Sequence, residues 1–257
     1  AIDVWTKAFL FGFQIYFDFA AYSHIAIGAA KLMGIEFPEN FNYPYLAVSF
    51  KSFWKRWHIS LSSWIRDYLY LPLLGVKVMD KSTGGISTDN PKARNTNSAL
   101  FLTWAIMGLW HGASWAFVFW GVYHATLIFI ERKVSRYTLK IPSKIKSFLG
   151  WCITLPLAML SWLPFRENSL ENVLLMFKKL FIFNGYFNRS FSENTYLIVA
   201  LLLLLTTISF FIHKYLLDKI KNNIFIYSLI IVISISILTL LDLTFLRPIS
   251  QFIYFQF

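Results

Sequence analysis

The run ALFLTWAIMGLWHGASWAFVFWGVYHATLIFI, residues 99–130, carries no formally charged side chain from Ala99 to Ile130. As one straight helix it would be about 48 Å long, well beyond the roughly 30 Å of hydrocarbon in a bilayer, so it must tilt strongly or break. Gly108, Gly112 and Gly121 are the expected places, because glycine weakens a helix and lets neighbouring backbones approach. The stretches 4–34, 147–165, 195–213 and 224–246 are also apolar over about the length that a crossing needs. The whole chain agrees: 57% of its residues are hydrophobic, 14% are charged and the mean hydropathy is +0.54. Those values lie outside the range of an ordinary soluble domain, and lipid is the solvent they suit. The expected fold is an all-α, polytopic transmembrane helical bundle with interfacial or re-entrant helices, built as one membrane-embedded domain over residues 1–257.

The formal charge of +11 does not point to nucleic acid, because Lys and Arg sit in short stretches between apolar runs, as topology-setting loops do. Arg132, Lys133, Arg136, Lys140, Lys144 and Lys146 crowd the 131–146 loop, whereas the basic residues of 166–193 are largely offset by Glu167, Glu171 and Glu193. The positive-inside bias therefore puts 131–146 in the cytoplasm, 214–223 on the same side, and the C-terminus outside. Residues 76–98, with Ser82-Thr83-Gly84-Gly85 and Asp89-Asn90-Pro91, read as a turn-rich loop. The single cysteine, Cys152, rules out an intramolecular disulfide or a multi-cysteine metal site, and its place in an apolar run reads as a small core residue. No metal site and no bound cofactor are expected. The chain shows neither an initiating Met nor a signal-peptide pattern.

Two segments carry polar chemistry into this apolar background. Residues 49–72 have helical periodicity, with Phe50, Phe53, Trp54, Trp57, Leu61, Trp64, Ile65 and Tyr68 on one face, and Lys55, Arg56, Ser62, Ser63, Arg66 and Asp67 opposite. Such a helix lies along the membrane boundary as an anchor, or it lines a water-filled cavity. His58 falls at the border of the two faces. The second segment, Gly108 to His124, places His111 inside the uncharged run. An intramembrane histidine is costly. Kept neutral by burial, it can take a proton from a hydroxyl as a general base, or it can be a packing residue satisfied by a backbone carbonyl. His124 reads as a packing or boundary residue near the end of that run.

Phe50 to Pro72 and Gly108 to His124 closely resemble the two signature segments of the membrane-bound O-acyltransferase family. The likeness is to the branch that holds the alginate O-acetyltransferase membrane subunit, peptidoglycan O-acetyltransferases and the teichoic-acid D-alanylation membrane protein. Tyr16 to Gly28, Gly34 to Tyr45 and Phe252 to Phe257 are similar to the same branch, at matching order and spacing. The chain departs from the family pattern at His24, where Asp is frequent, and at Gly75-Val76-Lys77, where a Gly-Gly-Asn-Arg-like loop is common. The resemblance implies that His111 is the catalytic residue and that His58 supports it beside the active-site tunnel. It also marks Trp54, Trp57, Trp110 and Ser114 as tunnel lining, with Arg66, Asp67, Gly108 and Gly112 as structural support. It implies a multi-pass protein of the inner (cytoplasmic) membrane, surrounded by lipid. Its acyl donor, such as acetyl-CoA, would be a substrate from the cytosolic side, and the acyl group would go to an extracellular polysaccharide hydroxyl or an acyl-relay transferase protein. Because such proteins are nearly twice as long, it further implies an N-terminally truncated chain.

The rival expectations are a transporter or channel whose histidines line a polar path, and an inactive membrane scaffold. The topology is directly testable. In a Cys152→Ser background, cysteines placed at Ser135 and at Asn188 are expected to react with impermeant reagent from opposite sides of the membrane; reaction from one side would overturn the charge-based orientation.

Overall fold

The computed structural model describes residues 1–76, 95–135, 142–167, 169–212 and 214. The expected span 224–246, most of the 76–98 loop and the 252–257 motif lie outside them. Among the described residues the secondary structure is entirely helical. Helix α1, Ile2–Leu32, is 31 residues long. It is followed by three short helices, α2 (Phe50–Trp54), α3 (Ile59–Ile65) and α4 (Leu71–Leu73). Two longer ones, α5 (Thr96–His111) and α6 (Trp115–Val134), account for the apolar run quoted above. Then come α7 (Ser143–Leu160), α8 (Leu163–Arg166), α9 (Leu170–Lys179) and α10 (Glu193–Phe211).

The 99–130 run breaks at one glycine and closes at the other two. Helix α5 ends at His111, and Gly112 takes φ 157° and ψ 153°, a region open essentially to glycine alone. Ser114 then starts α6 by accepting a hydrogen bond on Oγ from the Ala116 N–H, as an N-cap does. The result is an antiparallel hairpin rather than one tilted helix. Gly108 and Gly121 are not break points but contact points. A Cβ on Gly108 would sit 2.2 Å from the Phe117 carbonyl oxygen, and one on Gly121 would sit 2.0 Å from that of Trp104. Backbone meets backbone there, which only glycine permits.

The 49–72 stretch is likewise not one helix. Ser49 caps α2 through a hydrogen bond from the Ser52 N–H to its Oγ, and the chain turns at 55–58. His58 adopts the left-handed conformation, with φ 43° and ψ 57°, before α3 begins. A widened π turn, Arg66–Tyr70, precedes α4. The cause is tertiary: the Ile59 N–H donates to the Asn40 carbonyl at 2.9 Å, and the Asn42 N–H donates to that of Arg56 at 2.9 Å, so an upstream segment clamps the turn. The break resets the helical phase. Trp64 and Tyr68, which the periodicity groups on one apolar face with Phe50, Phe53, Trp54 and Trp57, are 55% and 67% exposed, whereas those four are buried.

The core is aromatic. Trp54, Trp104, Trp120 and His124 meet edge to face or stacked at centroid separations of 4.6–6.0 Å, and each good aromatic pair adds about 0.5–1.5 kcal/mol beyond area burial. His124, expected near a helix end, lies in the middle of α6 and is fully buried, because the break at Gly112 moved the helix start. Helix α1 packs along α7, and Gly12 lets Met159 and Trp162 approach it. Cys152 is exposed rather than buried, since its neighbours Trp151, Thr154 and Leu155 take the inward face of α7.

Two helical stretches among the described residues, Ser143–Arg166 and Glu193–Phe211, are both long and apolar enough to cross a membrane. They match the expected spans 147–165 and 195–213. The first is 61% buried by protein, and α10 only 17%, so α10 turns a leucine-rich surface outward that suits lipid. The other two described stretches do not belong to this class. Helix α1 is diluted by polar residues along its middle, Gln14, Asp18 and His24 among them, and 99–130 is divided in two.

The hairpin contact yields a stability test. Gly121→Ala forces a methyl group into the α5 backbone and is expected to cost about 1–3 kcal/mol. Gly28→Ala, where nothing lies within 4 Å, should instead be neutral or stabilising by about 0.5–1 kcal/mol. Thermal unfolding of both variants in detergent distinguishes a helix–helix contact from a generic helix glycine.

Candidate active site

Each of the two histidines sits where the chain reverses. His111 is the last residue of α5, and rings surround it: Trp110 at 4.9 Å, Trp120 at 5.0 Å, Phe165 at 5.0 Å and Phe117 at 6.2 Å between centroids. No carboxylate or amide among the described residues hydrogen-bonds its imidazole. His58 occupies the turn between α2 and α3 and meets Phe19 edge-on at 4.8 Å. A ladder of rings links the two, running Trp57–Trp162 at 4.5 Å, Trp162–Phe165 at 5.6 Å and Phe165–His111.

His58 Nδ1 lies 3.1 Å from Asn40 Oδ1, and Ser60 Oγ lies 3.4 Å from the same nitrogen. Burial disfavours the charged ring and lowers its pKa to about 4, so His58 is neutral at physiological pH. A neutral imidazole keeps one lone pair for a proton or a hydrogen bond.

A cavity of about 560 Å³ opens between the α2–α3 limbs and the α5–α6 hairpin. Its wall on α5 is the stripe Leu100, Thr103, Trp104 and Met107. His111 continues that stripe one helical turn, about 6 Å, beyond Met107. At the other end stand Lys51, Lys55, Arg66 and Arg132, with Glu131 as the acid. The guanidinium of Arg66 closes on Asp67 with bonds of 2.6 and 3.0 Å, and Arg132 donates to the Tyr70 hydroxyl at 3.2 Å. Glu131 accepts the Phe50 N–H at 2.5 Å, which ties the start of α2 to the end of α6. The cavity therefore sets Lys51, Lys55, Arg66 and Arg132 beside the apolar stripe of α5, the helix that ends at His111.

The residues singled out from the sequence fall into distinct places. Trp54 lines the cavity and donates through Nε1 to His124 Nδ1 at 3.3 Å. Trp57 is buried in the core against Phe53 and Trp162, Trp110 is exposed beside His111, and Ser114 is occupied in capping α6. Gly112 and Gly108 shape the hairpin, and the Arg66–Asp67 pair braces the π turn. Lys51, Thr103, Met107, Arg132 and Asn40 were not assigned roles by the sequence. Asn40 lies inside the Gly34–Tyr45 segment, which had a resemblance but no chemistry attached, and the cavity residues come from four separate elements. Thr103 Oγ1, Trp120 Nε1 and His124 Nε2 are buried with no hydrogen-bond partner among the described residues.

Comparison with known proteins adds a family match and three relatives. A family model described as MBOAT, membrane-bound O-acyltransferase family, matches residues 2–163. A probable alginate O-acetylase AlgI of Azotobacter vinelandii is 40% identical over 186 residues, covering 72% of this chain and 34% of the relative. A peptidoglycan O-acetyltransferase of Helicobacter pylori is 37% identical over 184 residues, with coverage of 72% and 32%. A teichoic acid D-alanyltransferase of Streptococcus thermophilus is 34% identical over 172 residues, with coverage of 61% and 40%. The chain thus spans about a third of the length of the curated relatives it matches.

The environment of His58 predicts a pH dependence of stability. Its folded pKa, about 4, lies below the unfolded value of about 6.5, so between the two the unfolded chain binds the extra proton. The stability that neutral His58 contributes is complete above about pH 6.5 and is lost as pH falls through about 4. Chemical unfolding measured across that window is expected to show a shallower pH slope in His58→Gln than in the parent; equal slopes would mean that His58 is not held neutral.

Proposed function

The chain belongs to the membrane-bound O-acyltransferase family, and from that premise we propose that it serves the transfer of an acyl group, acetyl in the first instance, from a cytosolic donor to a hydroxyl. The observation that carries this reading is the cavity. A cationic end at Lys51, Lys55 and Arg132 suits the phosphates of a donor such as acetyl-CoA, and an apolar stripe on α5 leads from it to His111. The cationic side chains adjoin the C-terminal end of α6, where the basic stretch expected in the cytoplasm begins, and this supports a donor that enters from that side.

At the far end of the stripe, His111 accepts the proton of the acceptor hydroxyl while its oxygen attacks the donor's acyl carbon. The bond from that carbon to the donor sulfur then breaks, and the sulfur leaves as a thiol by recovering the proton from His111. A transient acyl-histidine reaches the same product in two steps. His58 orients or polarises the reacting group. The aromatic enclosure excludes water, and so favours the intended hydroxyl over hydrolysis. The acceptor is an extracellular polysaccharide, as the names of the alginate and peptidoglycan relatives suggest, or a relay transferase protein that passes the group on.

The decisive measurement is product acylation per mole of purified full-length protein. His111→Ala is expected to lower it by about 10²–10⁴, the range for a lost general base, with folded yield unchanged. His58→Ala should lose less. His124→Ala, which removes a fully buried ring, is expected to reduce folded yield rather than turnover per folded molecule. Near-normal turnover in His111→Ala would reject the mechanism.

A further inference from the structure

Asn40 makes more contacts at the candidate site than packing requires. Its Oδ1 receives the Ser60 N–H at 3.3 Å, the Ser60 hydroxyl at 3.0 Å, and His58 Nδ1 at 3.1 Å. Its Nδ2 donates to Ser23 Oγ at 3.3 Å, and its own carbonyl accepts the Ile59 N–H at 2.9 Å. These contacts settle which way the amide faces. A backbone N–H can only donate, so the atom opposite Ser60 N must be the amide oxygen; with the amide reversed, its NH₂ would confront another donor. That oxygen in turn can only accept, so His58 Nδ1 must carry a hydrogen. A neutral imidazole has one N–H, and the Nε2 lone pair is then the ring's acceptor.

We propose that Asn40 is the positioning residue that holds His58 as the Nδ1–H tautomer and reserves Nε2 to accept a hydrogen bond or proton during transfer. Three features built into different elements serve this end. Ser23 on α1 anchors the amide from behind, Ser60 on α3 fixes its oxygen, and the Asn40–Ile59 and Asn42–Arg56 backbone bonds hold the left-handed turn that carries His58. Phe19 blocks one edge of the ring, and His111 is the titratable group that shares its field. An amide, unlike a carboxylate, selects the tautomer without stabilising the charged ring, so a proton taken on Nε2 is readily passed on. The role in transfer rests on the acyltransferase reading above; the tautomer does not.

The test uses the full-length protein and separates the two. Solid-state ¹⁵N spectra of histidine-labelled protein, with the His58 signal assigned by its loss in His58→Gln, are expected to show Nδ1 protonated in the parent. Asn40→Leu should shift the ring towards Nε2–H, and Asn40→Asp should keep Nδ1–H. An Nε2–H tautomer in the parent, or no change in Asn40→Leu, would overturn the proposal. With acetyl-CoA as donor, Asn40→Leu is expected to lower kcat about 10-fold or more, within the ~10²–10⁴ that proton transfer supplies, at unchanged KM for acetyl-CoA. Asn40→Asp should recover much of that kcat, with the acid limb of the pH profile moved to higher pH because a carboxylate favours the charged ring. If Asn40→Asp behaves like Asn40→Leu at equal folded yield, the residue is structural and the proposal fails. If His58→Ala turns over normally, the acyltransferase role of His58 fails, while the spectra still decide the tautomer.

Discussion

Backbone-to-backbone contact inside the α5–α6 hairpin is the constraint on which the rest of the structure depends. Gly108 against the Phe117 carbonyl and Gly121 against that of Trp104 leave no room for a single methyl group, and the turn between them is open only because Gly112 tolerates its backbone angles. Once the hairpin closes, His111 is carried to its tip, Trp104 and Trp120 are brought against Trp54, and the lower end of α6 presents Glu131 and Arg132 to the start of α2 and to Tyr70. A straight helix through 99–130 would scatter all of these.

The second reversal, at His58, is held differently. Nothing in the 55–58 turn itself demands a left-handed histidine, a conformation disfavoured for any residue with a Cβ. The strain is borne by the Asn40–Asn42 segment, which holds the turn through backbone bonds at both residues and through the Asn40 side chain. Strain of this kind persists where surrounding structure over-determines it, and such places cluster at functional sites. Here the device also places the histidine's polar partners, so one segment fixes backbone and ring together.

The cavity divides electrostatic from apolar work. Lys51, Lys55, Arg66 and Arg132 line one part of it, where water can share the cost of their charge, while the wall on α5 is mostly Leu, Trp and Met. An anionic group is therefore favoured beside the cations, and water is disfavoured along the apolar wall of α5. This separation suits a donor whose charged part stays behind while its acyl end advances.

Composition, hydropathy and the uncharged run were enough to establish a helical membrane protein, since burying so much apolar surface leaves few alternatives. One ionisable residue stranded in an uncharged run, His111, stood out for the same reason, whereas His58 was marked by the family resemblance that the Trp- and His-rich segments carried. What the sequence could not disclose depends on pieces distant along the chain. Periodicity assumes an unbroken helix, so it joined Trp64 and Tyr68 to the face of Phe50, Phe53 and Trp57, from which the turn at His58 separates them; it also hid the cavity, whose wall is assembled from separate elements. Asn40 itself looks like any loop amide in the sequence. Its pairing with His58 and Ser60 exists only because tertiary folding lays residue 40 across residues 56–60, and long-range hydrogen bonds of that kind leave no periodic trace along the chain.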